Sequence, residues 1–263
     1  MSILSVHTDS LRSSDRERAL RALSALADPI APQGVAFESD AVTYVPHLLG
    51  LALTEKIIVQ AEVLNYLANV YGSALWSWRR TQEDCAAAEK PEYDEMVGWE
   101  ESIADSYEEA APAAMAILAG TDDERVRGGA LHLVSQLASC RATLLPLLYG
   151  MFDDESGTGW KVDVIEALAH AGITLDREGT TTTSSLGWLH ARRETAAPGI
   201  RLGAALSLLP RVESVLRGSL EESVARSTDA ERDAVMEAMW LHGRTVEWAT
   251  RRRVNPTRYV PSR

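Results

Sequence analysis

Val45-Pro46-His47-Leu48-Leu49-Gly50-Leu51, Ala111-Pro112-Ala113-Ala114-Met115-Ala116-Ile117 and Leu145-Pro146-Leu147-Leu148-Tyr149-Gly150-Met151 are three apolar stretches, each with an internal proline. Counted from each proline, the second, third and fifth positions are Leu48, Leu49 and Leu51, then Ala114, Met115 and Ile117, then Leu148, Tyr149 and Met151. Apolar residues at such spacings mark one face of a helix. A polar break and a second apolar helix follow each time, ending near Leu67, Leu137 and Leu168, which lie 21, 25 and 22 residues past the prolines. A lone helical hairpin cannot bury its apolar face, so the recurrence predicts stacked hairpins. The expected fold is all-α, an α-solenoid.

Working outward, Ser14-Asp15-Arg16-Glu17 has capping-box spacing and starts a helix near Asp15, which Asp28-Pro29 ends. The first hairpin covers about Asp40 to Tyr71, broken at Thr54-Glu55-Lys56. An insertion occupies about 74–107, with one or two helices around Glu83–Lys90 and Glu92–Tyr107. The second hairpin runs from Glu108 to Ala138 with its break at Thr121-Asp122-Asp123-Glu124, and the third from Arg141 to Gly172 with its break at Asp153–Gly157. Gly179–Ser185 reads as an exposed loop. Leu186–Val212 reads as a degenerate fourth hairpin, and helices near Val212–Ala225 and Asp229–Trp248 as an atypical terminal cap. These form one domain over 1–254, followed by an irregular tail, 255–263.

The hairpins resemble HEAT repeats: a proline in the first helix, an Asp-containing turn, and an arginine opening the second helix, as in Asp122-Asp123…Val126-Arg127. More narrowly, Gln33-Gly34-Val35…Ser39…Ala41-Val42-Thr43-Tyr44-Val45-Pro46-His47-Leu48-Leu49 is similar to the opening of a group of actinobacterial HEAT-repeat proteins. Tyr44 and His47 depart from that group's pattern. The likeness covers roughly residues 15–172 and implies a binding scaffold without a defined activity.

Composition bounds the chemistry. The two cysteines, Cys85 and Cys140, supply no disulfide framework, and no signal peptide precedes Asp9, so a cytoplasmic protein is expected. No apolar run reaches the ~18 residues of a membrane span. None of the six histidines stands at metal-ligand spacing, Gly157-Thr158-Gly159 lacks the lysine of a phosphate loop, and Asp153-Asp154-Glu155 lacks the closing glutamate of a calcium loop. No cofactor, metal or catalytic residue is expected. Arg127 and Arg201, opening second helices, are expected to reach the acidic turn of a neighbouring hairpin.

The net charge of −12 is concentrated. Between Thr81 and Glu109 eleven acids face Lys90 alone, a net −10. A chain of this kind does not present the basic face that nucleic acid requires. Tyr93, Met96, Trp99 and Tyr107 are interleaved with the carboxylates, a combination that can steer and anchor a basic protein. The other reading is a solvated helix face whose aromatics pack inward. Candidate contacts are Glu92, Tyr93, Asp94, Glu95, Trp99, Glu100 and Glu101. Aligning the second helices on Leu67, Leu137 and Leu168 adds three polar rows: Glu62, His132 and Asp163; Asn65, Ser135 and Glu166; Asn69, Ser139 and His170. These rows are expected to line one polar surface opposite the core.

The expected function is therefore a non-enzymatic scaffold that binds a basic protein, in an immunity-like or assembly role. Two other classes stay open: a HEAT-like DNA glycosylase or other nucleic-acid-acting enzyme, and a small-molecule sensor or pigment lyase with seven tryptophans available to line a pocket.

Overall fold

A computed structural model of the chain describes residues 3–153, 157–172, 185–209, 211, 214–236 and 238. They form helices and turns without a strand, so the fold is all-α. They group into two compact units, Met1–Ser139 and Cys140–Arg263, where the sequence predicts one domain. Residues 154–156 of the third break, residues 179–184 of the exposed loop, and the part of the terminal cap and tail beyond Ala238 lie outside the described residues.

The first unit contains α1 (Ile3–Leu11), α2 (Arg16–Ile30), α3 (Ala41–Thr54), α4 (Gln60–Ala74), α5 (Ser77–Asp84), α6 (Asp94–Gly120) and α7 (Glu124–Gln136). Single 3-10 turns lie at Pro32–Gly34 and Lys90–Tyr93. The second unit contains α8 (Ala138–Asp153), which opens at the boundary, then α9 (Thr158–Ala167), a π turn at Leu168–Gly172, α10 (Ser185–Thr195), α11 (Pro198–Leu208), α12 (Ser214–Ala225) and α13 (Asp229–Met236).

Local signals explain most boundaries. Asp15 caps α2 by accepting from the N–H groups of Glu17 and Arg18, and Asp123 caps α7 in the same way from Arg125 and Val126. Pro46, Pro112 and Pro146 lie inside α3, α6 and α8. Four elements differ from expectation. A helix, α1, precedes the first expected one, and α2 runs on through Pro29 to Ile30. The expected helix over Glu83–Lys90 stops at Asp84, and Pro91 then sits in a separate 3-10 turn. The insertion and the second hairpin also merge, because α6 runs unbroken for 27 residues. Nothing between Tyr107 and Ala111 breaks a helix.

Within the first unit α3 packs beside α6 and α4 beside α7, so two hairpins lie side by side with α5 as a detour between them. Leu48, Leu64, Leu67, Ile103, Tyr107, Leu131 and Leu133 are fully buried there, each contributing roughly 1.5–3 kcal/mol. The approach of α4 and α7 depends on Gly129: a Cβ built on it would lie 2.9 Å from the Ala61 carbonyl oxygen and 3.1 Å from Leu64 Cβ. In the second unit Gly203 of α11 meets Val162 of α9 as closely, at 2.9 Å.

Gly129→Val should therefore destabilise the protein by about 2–3 kcal/mol. Gly98→Ala, with nothing within 4 Å of the added carbon, should stabilise it by about 0.5–1 kcal/mol. Urea unfolding of the two variants checks both signs.

Candidate partner-binding surfaces

The acidic segment is shaped by a reversal between α4 and α6. Trp76 takes a left-handed backbone, φ 66°, the one non-glycine residue to do so among the described residues. Such a conformation is unfavourable for a bulky side chain. Neighbours hold it: the Arg79 guanidinium lies 4.6 Å from the centre of the Trp76 ring, and Trp78 Nε1 donates to the Phe37 carbonyl at 2.8 Å. No side chain of α5 caps its own N-terminus. Glu100 of α6 does so instead, its two carboxylate oxygens accepting from Trp78 N at 2.8 Å and Arg79 N at 3.1 Å. Arg79 also pairs with Glu101, and Gln82 Nε2 donates to both the Lys90 carbonyl and Asp94 Oδ1, tying the 3-10 turn to α5.

Glu100 therefore departs from its expected role. It is 0% exposed and is a buried helix cap, not a contact on the surface. Glu92, Asp94, Glu95 and Glu101 are exposed, together with Glu83, Asp84, Glu89, Asp105 and Glu109. Asp94 and Glu95 occupy the first turn of α6, where the helix dipole favours negative charge. Tyr93, Met96 and Trp99 are half-buried, at the margin of the inward stripe formed by Glu100, Ile103 and Tyr107. The Tyr93 ring lies 6.3 Å from that of Trp78. Tyr107 is fully buried, with its hydroxyl donating to the Leu67 carbonyl at 2.8 Å.

The polar rows do not line one open surface. His132 and Ser135 are buried, and so are Asp163 and Glu166 in the second unit. Their register also differs from the expected one. Asn65 Oδ1 lies 2.6 Å from His132 Nδ1, so Asn65 is level with His132 and not with Ser135. Glu62 is reached by Arg125, whose Nη2 donates to Glu62 Oε1 at 2.8 Å, and Arg16 Nη2 donates to the same oxygen at 2.5 Å. The Gly129 contact sets α7 about one turn away from the alignment on leucines. Ser135 donates to the Leu131 carbonyl at 2.7 Å. Asn69 and Ser139 are exposed, and Ser139 donates to Glu108.

In the second unit Glu166 Oε1 accepts from Arg211 Nη2 at 2.5 Å, and Arg211 Nη1 donates to the Ser207 carbonyl at 2.6 Å. His170 stands in the π turn that extends α9. Burial, and then the positive charges of Arg211 and Arg141, lower its pKa to about 3. Arg201 reaches Glu231 of α13 at 3.8 Å, whereas Arg127 pairs at 3.6 Å with Glu124 of its own turn. Among the described residues no group of three or more His, Cys, Asp and Glu side chains is placed to hold a metal, and no helix is long and apolar enough to cross a membrane. Cys85 and Cys140 form no disulfide with each other.

No family model, curated protein or solved structure matches the chain.

Sequence reasoning missed three features that rest on long-range contacts: the Glu100 cap, the Glu62 cluster and the strained Trp76. Glu62 meets partners 46 and 63 residues away, and no local spacing marks such a pair.

Two outcomes follow. Glu100→Ala strips the partners from two amide groups at the start of α5 and should cost about 2 kcal/mol, while Glu109→Ala on the exposed side should stay within about 0.5 kcal/mol. Thermal or urea unfolding measures the difference. The unfolded His170 imidazole takes a proton near its ordinary pKa of about 6.5, whereas the native one stays neutral to about 3. The stability it contributes is present above pH ~6.5 and is lost as pH falls through that window. Between about pH 7 and about pH 5.5 the wild type should lose about 1 kcal/mol more than His170→Gln, as read from denaturant midpoints at the two values.

Proposed function

We propose that the chain is a non-enzymatic binding scaffold that recognises a basic protein through the acidic face of α5 and the first half of α6. We propose further that its hairpins are of the HEAT type. The side-by-side packing of α3–α4 and α6–α7 supports the second statement, as do the prolines inside the first helix of each pair. One observation carries the first. Nine exposed carboxylates lie on the same segment as the partly exposed Tyr93, Met96 and Trp99, and among the described residues only Arg79 forms an ion pair with any of the nine.

Charge and anchor divide the work. A concentrated field accelerates encounter with an oppositely charged partner and is screened over about 10 Å at ordinary salt. Exposed charge adds little affinity by itself, so the aromatic edge must supply the desolvated contact. Tyr93 and Trp99 are half open to solvent and have area to bury.

The test begins with proteins retained by the immobilised full chain and identified by mass spectrometry, followed by binding kinetics with the purified partner. Joint replacement of Glu83, Glu92 and Glu95 by Gln and of Asp84 and Asp94 by Asn should slow association about tenfold at low salt and flatten its salt dependence, with the helical circular dichroism unchanged. Trp99→Ala should speed dissociation about tenfold, equivalent to about 1.4 kcal/mol. A partner whose binding responds to neither change would overturn the assignment of this face.

A further inference from the structure

The first unit also holds a cleft of about 1020 Å³, away from the acidic face. It opens between the turn joining α3 to α4, the C-terminal end of α6 and the start of α7. Small-molecule sites measure roughly 300–1,000 Å³, so the space suits a small ligand. One wall is Leu53, Ile57 and Ile58, and the facing wall is Ala113, Ala116 and Ile117. Ile58 is 50% exposed, and such a side chain gains when another apolar surface covers it.

The end of the cleft is polar: its lining carries three cations, Arg16, Lys56 and Arg125, and three carboxylates, Glu62, Asp122 and Asp123. Arg16 and Arg125 both donate through Nη2 to a single oxygen, Oε1 of Glu62. Two guanidinium groups thus share one carboxylate. Each keeps further N–H groups for another acceptor, because a guanidinium has five. The two arginines are about half exposed. Asp123 keeps its negative charge while it caps α7, accepting from Arg125 N at 2.9 Å and Val126 N at 3.2 Å, so the positive excess is that of the Arg16–Glu62–Arg125 triad alone. The first turn of α4, which also lines the cleft, has no side-chain cap and brings the partial positive charge of a helix N-terminus, against the partial negative charge of the C-terminal end of α6. Lys56 and Asp122 on the rim offset one another.

We propose that this cleft binds a small amphipathic carboxylate, its apolar body between the two aliphatic walls and its carboxylate on the free N–H groups of Arg16 and Arg125. Bidentate recognition of a planar anion is the task a guanidinium fork suits best. A cation would find no acceptor on the two guanidinium groups. A dianion would bring its second charge against Glu62.

The test is isothermal titration of the full chain with decanoate, and with decyltrimethylammonium as the cationic counterpart of similar tail. Decanoate should bind saturably at one site per chain, with a Kd of about 10–100 µM, and the ammonium at least about tenfold more weakly. Ile58→Asp places a charge on the exposed wall and should abolish decanoate binding. Arg125→Gln, which leaves Glu62 with Arg16, should weaken it about tenfold. Circular dichroism should show both variants folded. Absence of saturable decanoate binding, equal binding of the ammonium, or affinity unchanged in both variants would overturn the proposal.

Discussion

Both carboxylate oxygens of Glu100, a residue with no exposure to solvent, are engaged by the backbone N–H groups of Trp78 and Arg79. The charge arrangement of the first unit depends on that contact. After α4 the chain must reverse, and it does so through a tryptophan in a left-handed conformation that costs on the order of 1 kcal/mol. A buried carboxylate is tolerable only with its hydrogen bonds made, and two uncapped amides are tolerable only with an acceptor. Each need answers the other. The result pins α5 to α6, and apart from Glu108 the remaining acids of both helices are exposed.

A second constraint fixes the side-by-side hairpins. Gly129 brings α7 into contact with the backbone of α4 at Ala61, which constrains the register of the two helices. Asn65 then meets His132, and Glu62 meets Arg16 and Arg125. Of the nine groups that simple repeat arithmetic sends to an open groove, His132, Ser135, Asp163 and Glu166 are buried, and Asn65 meets His132. Polar residues on a second helix here serve the packing between helices.

Helix content and most turn positions were legible in the sequence because they follow from local rules. Apolar periodicity, the capping aspartates at 15 and 123, and the breaks at 54–56 and 121–124 are each readable within a few residues. The exposed acids were legible for the same reason: carboxylates at such density cannot all be buried. What could not be read depends on partners far along the chain. Glu100 looks like its neighbour Glu101, and only the arrival of α5 overhead distinguishes a buried cap from a surface charge. The repeat alignment used leucines as landmarks, yet the closest approach of the helices is set by a glycine, which carries no hydrophobic signal. Continuity of α6 through Pro112 was missed because the proline was read as a landmark of a new helix, while its exposed ring and missing N–H are accommodated in one already running.

The proposed recognition surface is α5, the 3-10 turn at Lys90–Tyr93 and the first turns of α6. Amide hydrogen exchange of the chain, free and saturated with its protein partner, tests that placement most directly. Slowed exchange confined to peptides within about 77–105 on partner binding is the expected result. Unchanged exchange there, with protection appearing on α4 and α7 instead, would contradict it.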